Sequence, residues 1–296
     1  MTTPTGSITL DDVNIELGIA SGTAIDMNRA DVRGLAGVES GPVTLDDLRG
    51  KSNRFLLTIS ASQTDLNLRT YALANGWDGD IGIDITIASG VVIGGSTAGD
   101  STAALTVDGV WPNGVKLINN GTIAGKGGSG GATSGNAGQK GGRALAASVA
   151  VDVDNQGIIG GGGGGAGAGA FYAATYYVQT TENNFGNRSA TGTGGAGGVG
   201  AGPVASATSG LSGVTVTNTD KANYSVSATG CYGGNGGALG STGQSGTVTG
   251  YSSSGTGNFV SALFGSTGAG GAGGDAVYGN SNVTWVNTGT IYGSQV

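Results

Sequence analysis

The 296-residue chain has no histidine, a single cysteine (Cys231) and only four prolines, and charged residues make up just 10% of it. One cysteine cannot form an internal disulfide bond, and a chain without histidine cannot build a cysteine and histidine metal cage. No window reaches 18 apolar residues, which excludes a transmembrane helix. The net charge of −7, without basic clusters, argues against a nucleic acid partner.

The low charge does not predict disorder, because isoleucine, valine and leucine are plentiful. The first residues, MTTPTGSITLDD, have neither a basic region nor a following apolar region, so we expect no secretory signal. Glycine is the residue in excess, and 16 of the 65 glycines fall in residues 1–120 but 49 in residues 121–296. This distribution predicts two architectures that are joined near residue 120.

The N-terminal part, residues 1–53, is predicted to be a small helical module. It contains a short duplication, SITLDDV at 7–13 and PVTLDDL at 42–48. In each copy a threonine stands three residues before an aspartate, which is typical of a helix N-cap with an acidic first turn. Residues 28–37 predict another short helix. A unit this small buries little apolar surface by itself, so we predict that it docks against a partner.

Residues 54–120 are predicted to form a β-rich shoulder domain with one helix. Short apolar runs such as FLLTIS favour strands. The segment TDLNLRTYALANG at 64–76 has a capping residue and a terminal glycine, which predict a helix. Asp78, Asp80 and Asp84 lack the spacing and the terminal glutamate of an EF-hand loop, so we interpret them as part of a solvated turn.

A repeated pattern marks the second half of the chain. VKLINNGTIAG at 115–125, VDVDNQGIIGG at 151–161 and VTWVNTGTIYG at 283–293 align without gaps, and VTVTNTD at 214–220 matches in part. Each copy predicts a strand, an Asn-x-Gly turn and a second strand, which we call a β-arm. Such copies bury their apolar residues by stacking. Whether the β-arms close within one chain or across a homotrimer stays open.

The glycine runs have a period of three, because one non-glycine residue follows every two glycines. Three residues per turn is the repeat of the polyproline II helix, which has no internal hydrogen bonds. Two sides of such a helix are bare backbone here, so the sequence predicts a distal bundle of polyglycine II helices across residues 121–296, with residues 160–169 inside it. The predicted scaffold glycines are Gly127, Gly128, Gly161, Gly162, Gly163, Gly194, Gly195, Gly233, Gly234, Gly270 and Gly271.

Together these patterns resemble the glycine-rich adhesins at the tips of tailed-bacteriophage tail fibres. Besides the glycine runs, the resemblance rests on SITLDDV…PVTLDDLRGKS, FLLTIS…NLRTYALANGWDG and VWPNGVKLINNGTIAGKGG, which are similar to segments common in phage tail proteins. It implies a mainly β fold with a distal sandwich of polyglycine II helices. It also implies a virion tail protein that is assembled in the host cytoplasm and joined to other phage tail proteins, through the N-terminal module in this chain.

In that family the loops between glycine helices contact the host receptor, which implies an outer-surface protein or glycan as the partner. Residues 171–190 and 249–264 are rich in aromatic, serine and asparagine residues, a chemistry that suits a rigid but adaptable contact surface. The second stretch also contains Phe264. The candidate receptor-binding residues are Phe171, Tyr172, Tyr176, Tyr177, Phe185, Tyr224, Tyr251 and Phe259.

Three other functions compete with receptor binding. An ice-binding bundle would need arrays of threonine or alanine on one face, whereas side-chain positions such as Lys126, Ser129 and Thr193 are too mixed. The loops of a purely structural tail component would contact neighbouring tail proteins instead. A polysaccharide-cleaving tailspike would need two carboxylates that face a groove, whereas Asp152 and Asp154 lie on the outer face of one strand, so we expect no enzyme. We also expect no cofactor and no metal, although Asp275 fits a calcium-binding nonapeptide, because the aligned copy of that segment has Arg143 instead.

Overall fold

The computed structural model describes residues 3–179, 185–219 and 225–296. Its helices are α1 (Leu10–Glu16), α2 (Ala30–Ala36) and α3 (Leu68–Ala74), with 3-10 turns at Asp46–Leu48 and Asn280–Asn282. The strands are β1 (Arg54–Ile59), β2 (Gln63–Thr64), β3 (Leu66–Asn67), β4 (Gly82–Ile87), β5 (Val92–Gly94), β6 (Ala103–Val107), β7 (Val115–Asn119), β8 (Thr122–Ala124), β9 (Arg143–Ala147), β10 (Val151–Asn155), β11 (Ile158–Gly160), β12 (Tyr172–Gln179), β13 (Phe185–Gly192), β14 (Thr215–Thr219), β15 (Ser225–Thr229), β16 (Ser252–Gly255), β17 (Asn258–Phe264), β18 (Val277–Tyr278), β19 (Val283–Asn287) and β20 (Thr290–Tyr292). In the part of the chain described, no helix has the length and hydrophobicity to cross a membrane.

The N-terminal helices pack around a small core of their own. The Thr9 side chain accepts a hydrogen bond from the Asp12 N–H, and the Asp12 carboxylate accepts one from the Thr9 N–H, which confirms the capping box at α1. α2 ends at Gly37 in the left-handed conformation. The core is formed by Ile8, Val13, Val32, Leu35, Ala36, Val43 and Leu48.

The strands from β1 to β11 and from β18 to β20 form three parallel sheets. The strand orders are β1-β4-β7-β10-β19, β2-β5-β8-β11-β20 and β3-β6-β9-β18. Successive strands along the chain lie in different sheets, so the chain winds as a β-solenoid in which each rung stacks on the one before. The residue-120 boundary that the sequence predicts falls inside this solenoid, between β7 and β8.

The three complete β-arm repeats stack in the register of their alignment. Lys116 pairs with Asp152, at the offset of 36 between the first two copies, and Val151 pairs with Val283, at the offset of 132. Their second strands, β8, β11 and β20, stack in the same order. The prediction that copies bury themselves by stacking is therefore confirmed for these three.

The solenoid is held together mainly by apolar side chains that point inward from every rung. Ile85, Leu117 and Val153 form one such column and are fully buried. Burying a side chain of this size contributes about 1.5–3 kcal/mol. At the corner between two sheets, buried Asn119 donates its side-chain amide to the Asn155 Oδ1 at 2.7 Å, so the repeated asparagines form a ladder along the solenoid.

Three details differ from the sequence prediction. The helix predicted from residue 64 begins at Leu68, because residues 63–67 supply β2 and β3 and the Asn67 side chain caps α3. The prediction that residues 214–220 form a partial copy of the stacked β-arm is wrong, because β14 pairs antiparallel with β15 in another sheet. Asp84 forms an ion pair with Arg54, with 2.6 Å between Oδ1 and Nε, rather than belonging to an open turn.

The glycine-rich runs form a layer of extended segments that are joined by backbone hydrogen bonds. The bonds recur at every third residue: the N–H groups of Gly125, Gly128 and Gly131 donate to the carbonyls of Gly160, Gly163 and Ala166 at 2.8–2.9 Å. The run at 161–170 is buried at every position. It occupies the inside of the layer, as the sequence predicts for residues 160–169.

Six neighbouring segments surround this central run. Its successive N–H groups donate to three of them, as when Gly162, Gly163 and Gly164 bond the carbonyls of Gly142, Ala201 and Ser241. Its carbonyls accept from three others, which contribute the N–H groups of Gly128, Gly237 and Gly274 among others. Hydrogen bonds to the same neighbouring segment recur every three residues along the run. Each of the three faces of the run therefore bonds to two neighbouring segments.

The scaffold glycines lie where no larger residue fits. At each of the predicted positions, a Cβ atom would lie less than 3.0 Å from a backbone atom of an adjacent segment, closer than real Cβ contacts. The non-glycine residues between them, such as Lys126 and Ser129, are exposed. Some methyl groups are accommodated inside the layer, because Ala166 and Ala168 in the central run are fully buried.

Candidate functional site

The remaining strands form two small antiparallel sheets at the far end of the glycine layer. Their strand orders are β13-β12-β17 and β14-β15-β16. Each strand continues from a glycine run or leads into one: β12 follows the central run, and β13 ends where the run at 193–200 begins. The glycine layer therefore connects the solenoid to these distal sheets.

A core of small residues holds the two sheets against each other. Ala174, Ala190, Val226 and Ala228 are buried there beside Tyr172, which is only 4% exposed. Pairs of hydroxyl groups link the strands across each sheet, such as Thr175 with Ser189 at 2.8 Å between their Oγ atoms. Small side chains let the sheets approach closely, and the bulkier aromatic residues collect at one side of this core.

Aromatic rings from β12, β17 and the segment before β16 form a cluster on the distal sheets. The ring centroids of Tyr172 and Tyr251 lie 4.7 Å apart, those of Tyr251 and Phe264 lie 4.7 Å apart, and those of Tyr172 and Phe264 lie 5.1 Å apart. Tyr176 meets Phe259 edge to face at 5.6 Å. We call these five residues the distal aromatic cluster; such contacts hold each ring in a defined orientation.

Ser253 fixes two rings of the cluster through hydrogen bonds. Its Oγ lies 3.2 Å from the hydroxyl of Tyr172 and 3.2 Å from the hydroxyl of Tyr176. Because β16 belongs to one sheet and Tyr172 and Tyr176 to the other, Ser253 also ties the sheets together. Sequence reasoning missed Ser253, since a serine within the run SSSG carries no distinguishing signal.

The cluster presents apolar surface to solvent. Tyr251, Phe259 and Phe264 are 46%, 54% and 39% exposed, respectively. All of β17 is exposed, including Leu263. Residues 249–265 contain no charged side chain, so the surface is nearly neutral as well as aromatic. Exposed apolar residues that lie side by side in this way are typical of an interaction site.

The structure brings together four of the predicted receptor-binding residues: Tyr172, Tyr176, Tyr251 and Phe259. The Phe171 ring lies against Gly265. Tyr177 follows Tyr176 on β12, where side chains alternate between the two faces of the sheet. The backbone of Phe185 pairs with Gln179. Tyr224 lies outside the described residues.

Elsewhere the described residues contain no group of three or more histidine, cysteine, aspartate or glutamate side chains that could hold a metal ion. Asp275, the carboxylate of the calcium-like motif, instead accepts a hydrogen bond from the Ser294 hydroxyl at 2.6 Å and lies near Arg143 and Lys140. Cys231 is buried, and burial raises the pKa of its thiol.

Comparisons with known proteins agree with this architecture. A family model described as "Phage tail fibre adhesin Gp38" matches residues 54–296. The chain is also similar to a solved structure titled "Crystal structure of the gp37-gp38 adhesin tip complex of the bacteriophage S16 long tail fiber", at 22% identity over 96% of each chain with a TM-score of 0.50. No curated protein matches the chain. At this identity the structural likeness establishes the fold alone.

Proposed function

The chain belongs to the phage tail fibre adhesin Gp38 family, and from that premise we propose that its distal sheets bind a receptor on the host-cell surface. Membership makes the protein a component of the virion tail and implies a binding protein rather than an enzyme. The observation that carries the proposal is the distal aromatic cluster, whose exposed rings Tyr251 and Phe259 are oriented by buried or half-buried neighbours. Aromatic residues held in this way are the usual anchors of protein interfaces.

The scaffold in this proposal is a bundle of polyglycine II helices. Three features support that identification: hydrogen bonds at every third residue, six neighbours around the central run, and glycine at each close backbone approach. Eleven residues at the rise of this helix, from 160 to 170, span about 30 Å. The receptor surface would thus be held about that far from the solenoid on a support without flexible linkers.

Attachment to the virion completes the proposal. The related solved structure is a complex of an adhesin with another tail fibre protein, gp37. In this chain the N-terminal module, residues 1–53, has a separate core, and Leu10 and Ile15 on α1 are each 42% exposed. We assign this module, which precedes the solenoid in the chain, to contact with other phage tail proteins.

The test is a double variant, Tyr251→Ala with Phe259→Ala, in the full-length protein. Truncating an interface anchor costs about 2 kcal/mol, which corresponds to about a 30-fold loss of affinity for each anchor that matters. Adsorption of phage that carry the variant, and binding of the purified protein to host cells, should fall at least that far. The distal sheets retain Tyr172 and the alanine core, so the melting temperature should change little.

Val110→Ala is the control, because Val110 is an exposed apolar residue that precedes β7 in the solenoid. It should leave adsorption unchanged. If the double variant instead reduced the incorporation of the protein into virions, and incorporated copies adsorbed normally, the distal sheets would be a structural contact between tail proteins. Receptor binding at this cluster would then be wrong.

A further inference from the structure

The chain passes from the N-terminal module to the solenoid through a short polar segment, residues 50–54, with the sequence GKSNR. Segments of this composition between two folded units are usually flexible linkers. The family model begins at residue 54, so the segment also marks the boundary between the module and the part of the chain that matches the family. How residues 50–54 are held therefore decides whether the two units move independently.

The first two residues of the segment are held by the start of the chain. Gly50 donates its N–H to the Pro4 carbonyl at 3.2 Å. Lys51 donates its N–H to the Thr3 hydroxyl at 2.9 Å, and its carbonyl accepts from the Thr3 N–H at 2.9 Å. Thr3 is only 3% exposed, so these bonds belong to the folded module.

The next two residues are held by Glu16, the last residue of α1. Its Oε1 accepts hydrogen bonds from the Asn53 N–H at 2.8 Å and from the Ser52 hydroxyl at 3.2 Å. Glu16 is only 9% exposed, and a buried carboxylate requires donors of this kind. The module thus holds the chain as far as Asn53.

The solenoid holds the following residue, Arg54. Its Nε lies 2.6 Å from Oδ1 of Asp84, and its guanidinium also donates to the carbonyls of Ile83 at 2.6 Å and Asn113 at 3.0 Å. A Cβ at Gly82, its partner in β4, would collide with this guanidinium, so the arginine fits because position 82 has no side chain. Two consecutive residues of the chain are therefore anchored to different units.

Apolar packing does not fix how the two units are oriented. Within the described residues, the core of the module and the core of the solenoid share no residue. A cleft of about 220 Å³ lies between them, lined by Ile15 and Leu17 on one side and by Gly82 and Asn113 on the other. The orientation then depends on the segment that joins the units.

We infer that residues 50–54 form a rigid joint, in which Glu16 and Arg54 fix the direction of the solenoid relative to the N-terminal module. All five residues are bonded to one unit or the other, so movement at the joint requires that an anchor opens first. The use of such a joint rests on the proposed function. A module held by other tail proteins would, through a rigid joint, point the distal sheets in one direction.

Limited digestion of the full-length protein with trypsin tests the joint, because Lys51 and Arg54 place a cleavage site on each side of Asn53. Proteases cleave a folded chain where it opens locally. Glu16→Ala should raise the rate of cleavage after Lys51 at least ten-fold, whereas Glu16→Gln keeps an acceptor oxygen and should retain most of the protection. Glu39→Ala is the matched control, because Glu39 is an exposed glutamate of the same module, and it should leave the rate unchanged.

A second variant tests the joint from the solenoid side. Gly82→Ala should displace the Arg54 guanidinium and raise the rate of cleavage after Arg54 at least ten-fold. Small-angle X-ray scattering measures the orientation directly. The radius of gyration should rise in Glu16→Ala, because the module is then free to swing, and should stay unchanged in Glu39→Ala.

Cleavage after Lys51 in the wild-type protein as fast as in a free peptide of the same sequence would overturn the inference. Wild-type rates and scattering in Glu16→Ala would do the same. If Glu16→Ala were cleaved equally fast after Arg33 of α2, Glu16 would hold the fold of the module rather than the joint, and the inference would be wrong. Binding of the purified protein to host cells reports separately on the proposed function, because these variants leave the distal sheets unaltered.

Discussion

The solenoid and the glycine layer lie side by side in one chain but are packed by opposite means. In the solenoid, buried side chains such as Ile85 and Leu117 fill the space between sheets whose backbones are kept apart. In the layer, backbone meets backbone, and the central run buries nothing larger than the methyl groups of alanine. The solenoid should therefore be damaged by making residues smaller, and the layer by making them larger.

The largest expected effect comes from enlarging one glycine of the layer. Gly162 donates to the Gly142 carbonyl at 2.8 Å and accepts from the Gly274 N–H at 2.7 Å, and a Cβ there would collide with the Lys126 carbonyl. Gly162→Val must push these segments apart, which costs about 1–3 kcal/mol, and break at least two buried backbone hydrogen bonds at about 1–3 kcal/mol each, so it should lower the free energy of unfolding by more than about 5 kcal/mol. Thermal or urea unfolding of the purified protein measures this loss.

Ser129→Val is the control for that variant, because Ser129 is an exposed non-glycine position of an adjacent run. It should change the free energy of unfolding by no more than about 0.5 kcal/mol. Equal losses for the two valines would mean that the layer is not closely packed. The glycine faces and the side-chain-bearing faces of the runs would then not differ in how closely they are packed.

A smaller loss is expected from truncation in the solenoid. Leu117 is fully buried between Ile85 and Val153, so Leu117→Ala removes apolar contacts and leaves a cavity. The free energy of unfolding should fall by about 2–5 kcal/mol. The exposed glycine-layer residue Val199, truncated to alanine, should have almost no effect. A solenoid indifferent to Leu117→Ala would show that side-chain packing is not what holds its rungs.

The same contrast explains which parts of the fold could be predicted from the sequence. Alternating apolar residues and the recurring asparagine identified the stacked β-arms, because each solenoid rung repeats the same inward positions. The prediction for residues 214–220 was wrong because this segment lacks the Asn-x-Gly turn. Its alternating apolar residues fit a parallel solenoid strand and an antiparallel strand equally well. The helix predicted from residue 64 begins four residues later, at Leu68. Pairing of Leu66 with Leu105 in a sheet outweighs the helix-capping signal of the local sequence.

The candidate site was only partly predictable for a related reason. Aromatic composition pointed to Tyr172, Tyr251 and Phe259, but which rings touch depends on the pairing of β12 with β17. A bulge between Thr175 and Tyr176 in that pairing brings Phe259 opposite Tyr176. A bulge has no signature in this stretch of serine, alanine and valine. The division between buried Tyr172 and exposed Tyr251 was likewise invisible in the sequence.

The smallest expected effect concerns the charges that join the two regions. Asp275 precedes β18 at the end of a glycine run; its Oδ2 lies 3.3 Å from Nε of Arg143 in the solenoid, and its Oδ1 accepts from Ser294 in the C-terminal segment. Burial alone would raise the pKa of Asp275, but the hydrogen bonds from Ser294 and Arg143 and the charge of Lys140 outweigh it, so the pKa lies below its ordinary value. The ionised carboxylate therefore stabilises the folded chain.

A carboxyl group with a lowered pKa stabilises the folded state fully above its ordinary pKa, and this contribution disappears as the pH falls through the pKa of the folded state. Asp275→Asn should thus lower the free energy of unfolding by about 1–2 kcal/mol at pH 7. The difference should shrink at lower pH, as the pH falls through the pKa of Asp275 in the folded state. Unfolding curves of the two proteins at pH 7 and at lower pH measure the change, and Asp152→Asn, at an exposed position of β10, is the control. A difference that did not depend on pH would mean that the shape of the side chain, and not its charge, joins the glycine layer to the solenoid.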